Sequence, residues 1–155
     1  MEVNIDLQIA TDEPLESYPS LEEMTLWAKT ALITGGRTKD SELTIRMVDS
    51  AEIHELNKTY RHVDRPTNIL SFPFEMPKGI EELPIIGDLV ICKEVLEREC
   101  IEQNKTLEEH FCHLIVHGCL HLIGYDHIEE CDAKVMEPLE IKTLAKLGFK
   151  NPYEI

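Results

Sequence analysis

Apolar and polar residues alternate along residues 3–9, and the same period of two returns at 43–47. Such alternation is typical of half-buried β-strands, which face a core on one side only. Two short apolar runs, 68–74 and 85–92, predict two further strands. Because proline donates no ladder hydrogen bond, Pro73 places the first of these two strands at a sheet edge.

Helical spacing of apolar residues fills most of the remaining chain. Ser20 and Thr106 each stand three residues before a glutamate, which predicts a capping box and a helix start at both positions. Ser50 is predicted to cap another helix, and Pro138 is expected to kink or split the last one. The predicted helices cover about 21–32, 50–60, 93–103, 107–122 and 129–147.

These elements predict an α/β fold, in which about five helices pack on a small mixed sheet of about four strands. The length of 155 residues suits a single domain spanning 1–155. A domain of this size can bury a core without disulfide bonds. The order of the strands does not follow from the pattern.

Composition adds an acidic excess, with 30 Asp and Glu against 15 Lys and Arg. Phosphate-binding proteins normally carry a basic surface, so this excess alone argues against a general binder of nucleic acids or membranes. The five cysteines are odd in number and form no Cys-x-x-Cys pair, which predicts reduced thiols in a cytoplasmic protein. The acidic N-terminal segment lacks the basic region of a signal peptide, and no apolar run is long enough to span a membrane.

Histidine spacing carries the main functional signal, because His117, His121 and His127 stand four and six residues apart. Residues four apart share one face of a helix, so His117 and His121 can bind one ion. Gly124 tolerates left-handed backbone angles, which lets the helix end there and the chain bring back His127. Three protein ligands with one open position are typical of a catalytic zinc site. We therefore predict one zinc ion per chain, on a helix near the C-terminal third.

The choice among the histidines stays open at this point. His113 also stands four residues before His117, so these two form an alternative pair. His110 and His113 are otherwise expected to pack in the core or to bond to ligand residues. Asp126 is a candidate for orienting a ligand histidine, or for bonding its own backbone in a turn.

The spacing His-x3-His-x2-Gly-x2-His is shared with metzincin proteases. Those proteases place a glutamate directly after the first histidine, where it acts as the general base. Gly118 occupies that position here and has no side chain to move a proton. A peptidase or amidase is therefore the weaker alternative.

Residues 117–127, His-Gly-Cys-Leu-His-Leu-Ile-Gly-Tyr-Asp-His, resemble the signature of the bacterial YbeY family. A second block at 56–73 resembles the same family and includes the pair Tyr60-Arg61. The pair Gly87-Asp88 before an apolar strand also fits. Asn68 departs from the pattern, in which aspartate is more frequent, and loses a carboxylate there. Together the blocks span most of the chain.

This resemblance implies a metal-dependent endoribonuclease that matures the 3′ end of small-subunit ribosomal RNA and serves ribosome quality control. It implies zinc on the three histidines 117, 121 and 127, and a role for Arg61 in activity. The planar guanidinium of Arg61 suits a phosphodiester, whereas the alternative for this residue is a surface ion pair with Asp64. The expected reaction is hydrolysis by water at phosphorus, with Asp126 as a candidate catalytic group. Attack by the ribose 2′-hydroxyl is the alternative chemistry.

The stretch 57–67 carries Lys58, Arg61 and Arg65 against one acid, Asp64, in a protein of formal charge −15. A small positive cleft, in which Lys58 and Arg65 bind the substrate, would reconcile RNA binding with the acidic body. A ribosome or a ribosomal protein would then help to deliver the RNA, and neither DNA nor membrane is an expected partner. A further alternative is a non-catalytic, ribosome-associated module in which zinc only stabilises the fold.

Overall fold

The computed structural model describes residues 1–75, 83–125 and 130–153, and only the backbone of 130–133. Within these residues, one four-stranded sheet organises the protein. Its strands are β1 (Val3–Ile9), β2 (Ser41–Val48), β3 (Ile69–Pro73) and β4 (Ile85–Cys92). They lie side by side in the order β1-β2-β4-β3. Strands β1, β2 and β4 are parallel, whereas β3 runs antiparallel to β4 at the sheet edge, as its proline predicts.

In the described part of the chain, five α-helices and one short 3-10 helix (Leu15–Ser17) connect and cover the strands, and the α-helices agree with the sequence periodicity. The predicted loop between β3 and β4 lies mostly outside the described residues. No helix in the described residues is both long and apolar enough to cross a bilayer. The helices are α1 (Leu21–Thr34), α2 (Ser50–Arg61), α3 (Lys93–Gln103), α4 (Leu107–Leu122) and α5 (Glu130–Lys146).

The helix starts confirm two of the three predicted caps. Ser20 forms both bonds of its capping box. The hydroxyl of Thr106 accepts the backbone N–H of Glu109 at 3.1 Å, but no bond returns from the Glu109 side chain among the described residues, so the helix start is confirmed there and the capping box is not. The prediction for Ser50 is wrong, because Asp49 is the cap and accepts the N–H of Glu52 at 2.8 Å. Asp49 keeps an extended backbone that places its carboxylate over the first turn, whereas Ser50 is already helical. Pro138 lies inside α5 and does not split it.

Two hydrophobic clusters lie on opposite faces of the sheet, and their residues alternate along β4. Leu89 and Ile91 face the larger cluster, which α1, α4 and α5 complete. Val90 and Cys92 face a smaller cluster with Ile53 of α2. Helix α4 therefore lies on one face of the sheet and α2 on the other.

Four of the five cysteines, Cys92, Cys100, Cys112 and Cys119, are buried free thiols, and the reduced state of the protein stays a prediction. The side chain of the fifth, Cys131, lies outside the description. Burial raises the pKa of the Cys112 and Cys119 thiols to about 12. These two thiols are therefore neutral core residues at physiological pH.

Candidate metal centre

Helix α4 separates its apolar residues from its histidines. Phe111, Ile115 and Leu120 are fully buried in the larger cluster. His110 meets α3, His113 and His117 meet α5, and His121 meets His117 one turn earlier on the same helix. The amphipathic pattern thus presents a row of imidazoles along one side of a rigid, well-packed helix.

His117 and His121 point ring nitrogens at each other. Nε2 of His117 lies 2.8 Å from Nε2 of His121, and the ring centroids are 4.4 Å apart. Two neutral imidazoles cannot face each other with lone pairs at this distance, so the contact requires a shared proton or a cation. Two nitrogens bound to one tetrahedral zinc stand about 3.3 Å apart, given Zn–N distances of about 2.0–2.1 Å. At 2.8 Å the two nitrogens are about 0.5 Å closer than this, so a small rotation of the rings would bring both to ligand distance from a single ion.

Glu140 of α5 lies behind His117 and has no exposed side-chain surface. Its Oε1 accepts a hydrogen bond from Nδ1 of His117, and its Oε2 accepts one from the hydroxyl of Tyr153. Nε2 of His113 lies 3.7 Å from the same Oε1. We call these four residues, His113, His117, Glu140 and Tyr153, the Glu140 cluster.

The donors around Glu140 keep it charged in spite of its burial. Burial acts to raise the pKa of Glu140, but the bonds from His113, His117 and Tyr153 outweigh it and lower that pKa to about 2. Burial lowers the pKa of His113, and burial together with Glu140 raises the pKa of the Tyr153 phenol. At neutral pH the cluster thus holds a carboxylate, a neutral His113 and a protonated phenol.

The cluster also offers a second way to hold an ion. His113, His117 and Glu140 present ligand atoms within 4.8 Å of one another. His117 is common to this triad and to the pair with His121, but its Nδ1 faces Glu140 while its Nε2 faces His121. The alternative His113/His117 pairing therefore remains geometrically available.

The turn after α4 is fixed as far as residue 125. Gly124 has a φ of 104°, in the left-handed region that the sequence predicts for it. The Tyr125 hydroxyl donates to the carbonyl of Gly35 at 2.9 Å, which ties this turn to the end of α1. Asp126 and His127 lie outside the described residues, so the third ligand and the orienting aspartate stay predictions.

The predicted cations Lys58, Arg61 and Arg65 lie at the end of α2 and in the following loop, which we call the basic turn. The side chains of all three are exposed. Buried Asn57 holds the backbone beneath them, because its Nδ2 donates to the Arg65 carbonyl at 2.8 Å and its own carbonyl accepts from Val63. The fold thus positions the loop and leaves the charged ends in solvent.

Arg61 does not pair with Asp64, contrary to the alternative drawn from the sequence. Asp64 is instead bonded to Nε2 of His54 at 2.7 Å, and this bond, with the charge of Lys58, lowers the pKa of Asp64. Within the described part of the chain, the side chain of Arg61 forms no hydrogen bond or ion pair. Its guanidinium is therefore available to a ligand.

His110 has a structural partner. It is 3% exposed, and its Nε2 lies 3.0 Å from Oε1 of Glu99. Asn68, the departure from the family pattern, donates to the same carboxylate at 3.1 Å. An aspartate at position 68 would place a second carboxylate against Glu99, so the asparagine suits this neighbourhood.

Gly118 packs against the sheet and gives a structural reason for the missing general base. A Cβ at this position would lie 2.7 Å from Cδ2 of Leu89 and 3.1 Å from Cδ1 of Ile69. The glycine allows α4 to approach β4 closely, and a glutamate would have to displace that contact. The backbone position used by the metzincin base is therefore occupied by core packing.

Sequence reasoning missed Glu140 and Tyr153. Glu140 does carry a signal, because it shares a helical stripe with Met136 and Leu144, which are buried. A single glutamate on an apolar stripe indicates a buried carboxylate that needs partners. Tyr153 follows the last helix and carries no comparable signal.

Comparison with known proteins identifies a matching family and a similar fold. The profile of the family described as endoribonuclease YbeY matches residues 10–148. The solution structure of TM1509 from Thermotoga maritima is similar, with a TM-score of 0.57 and 22% sequence identity. That match covers 97% of this chain and 99% of the other. At this identity, the structural likeness shows a shared fold.

Proposed function

This chain belongs to the YbeY endoribonuclease family, and we propose that His117, His121 and His127 bind the single zinc ion with which it cleaves RNA. The family comprises metal-dependent endoribonucleases of ribosomal RNA maturation, so hydrolase activity on RNA follows from membership. The ligand assignment rests on one observation, the convergence of Nε2 of His117 and Nε2 of His121 at 2.8 Å. Imidazole nitrogens suit zinc better than they suit the harder ions calcium and magnesium.

The reaction we propose is hydrolysis at phosphorus. When bound, the ion would lower the pKa of a water molecule and attract a phosphate oxygen. Arg61 and the histidines lie on helices at opposite faces of the sheet, but both helices reach the edge strand β3, α2 through Tyr60 against Phe72 and α4 through Gly118 against Ile69. In this proposal an RNA that crosses this edge receives hydrogen bonds from the planar fork of Arg61 at its non-bridging phosphate oxygens, where negative charge grows during the reaction. Asp126, beside the third ligand, is the candidate for orienting His127 or for moving the proton of the attacking water.

RNA binding is assigned to the basic turn. Lys58 and Arg65 contact phosphates next to the cleaved one, and exposed Tyr60 offers a ring for base stacking. The overall charge of −15 limits non-specific binding of RNA to the rest of the surface. We further propose that residues 1–155 act as one domain in the cytoplasm. The ribosome or ribosomal proteins would deliver the RNA, and cleavage would occur near the 3′ end of small-subunit ribosomal RNA.

Two alanine variants test the ligand assignment. His121→Ala should lose both bound zinc and cleavage of a defined ribosomal RNA fragment. His113→Ala should retain zinc in near-stoichiometric amount, because Nε2 of His113 faces Oε1 of Glu140 at 3.7 Å, whereas the proposed ligand atom of His117 faces His121. Metal analysis of the purified variants decides, and the reverse pattern would move the ion to the triad of His113, His117 and Glu140.

The chemistry has its own test in the ends of the products. Hydrolysis by water forms no 2′,3′-cyclic phosphate. Attack by the ribose 2′-hydroxyl expels the 5′-oxygen, so it first forms a 2′,3′-cyclic phosphate on one fragment, which can open later to a 3′-phosphate, and leaves a 5′-hydroxyl on the other. Mass spectrometry of the cleaved fragments distinguishes the two. A cyclic phosphate would disprove the water mechanism and leave the zinc assignment untouched.

A further inference from the structure

Glu140 is a fully buried carboxylate whose place in α5 calls for an apolar residue. The other members of its stripe, Met136, Thr143 and Leu144, lie in the core. A buried carboxylate is unfavourable unless hydrogen bonds satisfy both oxygens, and apolar replacements of such groups are often neutral or stabilising. Stability of the helix therefore does not by itself account for a glutamate at this position.

We propose that Glu140 is the positioning residue of the metal ligand His117, and that Tyr153 holds Glu140 in place. The inference rests on the proposed function, in which Nε2 of His117 binds the ion. Glu140 accepts from Nδ1 of His117 through one oxygen and from the Tyr153 hydroxyl through the other. The two bonds fix the rotation of the carboxylate and, through it, that of the imidazole.

The bond to Nδ1 also selects the tautomer of His117. A neutral imidazole carries its proton on one nitrogen only, so a proton held on Nδ1 leaves a lone pair on Nε2. That Nε2 is the atom that faces His121. A carboxylate behind a ligand histidine also increases the basicity of the ring, which strengthens its bond to a metal.

Glu140 is better suited to positioning than to ligation. Both of its oxygens already accept hydrogen bonds, and its side chain has no exposed surface. A catalytic ion keeps one position open to substrate, which an ion at this buried carboxylate would lack. The partly exposed His121 lies on the opposite edge of the His117 ring, where RNA can approach.

Tyr153 connects the C-terminal segment to the centre. The segment is anchored by Phe149, whose ring meets Trp27 edge to face at 6.5 Å. The Tyr153 ring then lies 5.6 Å from that of His113, with its hydroxyl on Glu140. The end of the described chain is thus part of the support of His117.

The test measures zinc affinity in the full purified chain, by competition with a chromophoric chelator after the metal has been removed. Glu140→Gln keeps the shape but loses the charge, and should weaken zinc binding about 10- to 100-fold. Tyr153→Phe removes one hydrogen bond to the carboxylate but keeps its charge, and should weaken zinc binding about two- to tenfold. Cleavage of RNA should fall in the same order at limiting zinc and recover at excess zinc.

Two matched controls separate positioning from general stability. Glu99→Gln makes the same chemical change in a carboxylate that also bonds an α4 histidine, His110. Tyr18→Phe removes a hydroxyl that bonds Thr11 and Glu13, neither of which belongs to the Glu140 cluster or to the pair of His117 and His121. Both controls should keep zinc affinity within about twofold of the wild type, whatever they do to unfolding.

A second measurement uses the wild-type protein, so it does not depend on whether a variant folds. Long-range ¹H–¹⁵N spectra of the metal-free wild-type chain report which nitrogen of His117 carries the proton. The expected result is protonation at Nδ1, and a proton on Nε2 alone would overturn the inference.

The outcomes also distinguish this inference from the proposed function. Unchanged zinc affinity in Glu140→Gln, together with loss of zinc in His121→Ala, overturns the positioning role and leaves the ligands in place. Loss of zinc in Glu140→Gln as complete as in His117→Ala, with His121→Ala unaffected, makes Glu140 a ligand and overturns both.

Discussion

The Glu140 cluster and the basic turn position their side chains in opposite ways. In the cluster both oxygens of Glu140 are satisfied within the protein, and the carboxylate is inaccessible to solvent. In the basic turn only the backbone is held, by Asn57, and the charged ends of Lys58, Arg61 and Arg65 lie in water. A metal site requires fixed ligand geometry, whereas phosphate contacts tolerate mobile cations and depend on salt. The difference predicts that metal binding and RNA binding can be disturbed separately.

Metal removal should have the largest effect of all and should leave the fold intact. The two hydrophobic clusters form without any contribution from the histidine pair. Chelation should therefore reduce RNA cleavage to background, zinc should restore it, and the circular dichroism spectrum should stay native. Cleavage and spectra of the stripped and reloaded protein check this.

The opposite result would favour the non-catalytic module. If the chain unfolds once zinc is removed, while His117→Ala still processes RNA, then zinc only stabilises the fold. The proposal of a catalytic zinc ion at His117 and His121 is then wrong. The Glu140 cluster would then support a structural ion, and only the basic turn would remain as a candidate for binding RNA.

Arg61→Ala should have the second-largest effect, and it should lower the rate constant of cleavage without changing the zinc content. Loss of one donor to a developing oxyanion typically lowers the rate constant about 10²- to 10³-fold. Zinc content should remain that of the wild type, because Arg61 has no bond to the cluster among the described residues. Single-turnover cleavage at saturating RNA, with metal analysis alongside, measures both.

Arg61→Lys is the matched variant for this prediction. It keeps the charge but loses the planar pair of donors, so it should recover only part of the rate. Full recovery would show that Arg61 acts through charge alone, and would place it with its neighbours in RNA binding.

Lys58→Ala combined with Arg65→Ala should affect affinity and leave the saturated rate nearly unchanged. Each phosphate contact with single-stranded RNA contributes about 0.7 to the dependence of log K on log salt, so the slope should fall by about 1.4. Binding of an uncleavable RNA at several salt concentrations measures the slope. Lys29→Ala, an exposed cation on α1, serves as the control, and an equal fall in both proteins would show that the turn has no special role.

The sequence predicts the local parts of this molecule well and the non-local parts poorly. Strands and helices follow from periods of two and of about 3.6, and the pair His117 and His121 follows from a spacing of one helical turn. The order β1-β2-β4-β3 depends on which strands meet in the folded state, which no local period encodes. The cap at Asp49 was missed because two adjacent residues, Asp49 and Ser50, are both good capping residues.

The Glu140 cluster shows the same limit at the level of a site. Glu140 is 23 residues from His117 and Tyr153 is 13 residues beyond Glu140. Their contact depends on α5 packing beside α4, a tertiary feature. The basic turn was visible in advance because its three cations lie within one short stretch of sequence.

The pair of Glu99 and His110 provides the smallest predicted effect and the sharpest contrast to Glu140. Burial raises the pKa of Glu99, but bonds from His110 and Asn68 outweigh it, so this pKa lies below its usual value. A carboxyl with a lowered folded-state pKa stabilises the fold above its unfolded pKa and loses this contribution as pH falls through the folded value. Glu99→Gln should therefore lower the free energy of unfolding by about 1 kcal/mol at neutral pH. The difference from wild type should shrink as the pH falls from about 5 through the unfolded pKa of glutamate, about 4.3. Urea unfolding across this range measures it, with exposed Glu102 of the same helix changed to glutamine as the control. A pH-independent difference would mean that packing, and not the charge of Glu99, holds His110. The pair of Glu99 and His110 would then no longer serve as a control for Glu140 and His117, in which the charge of the carboxylate is proposed to matter.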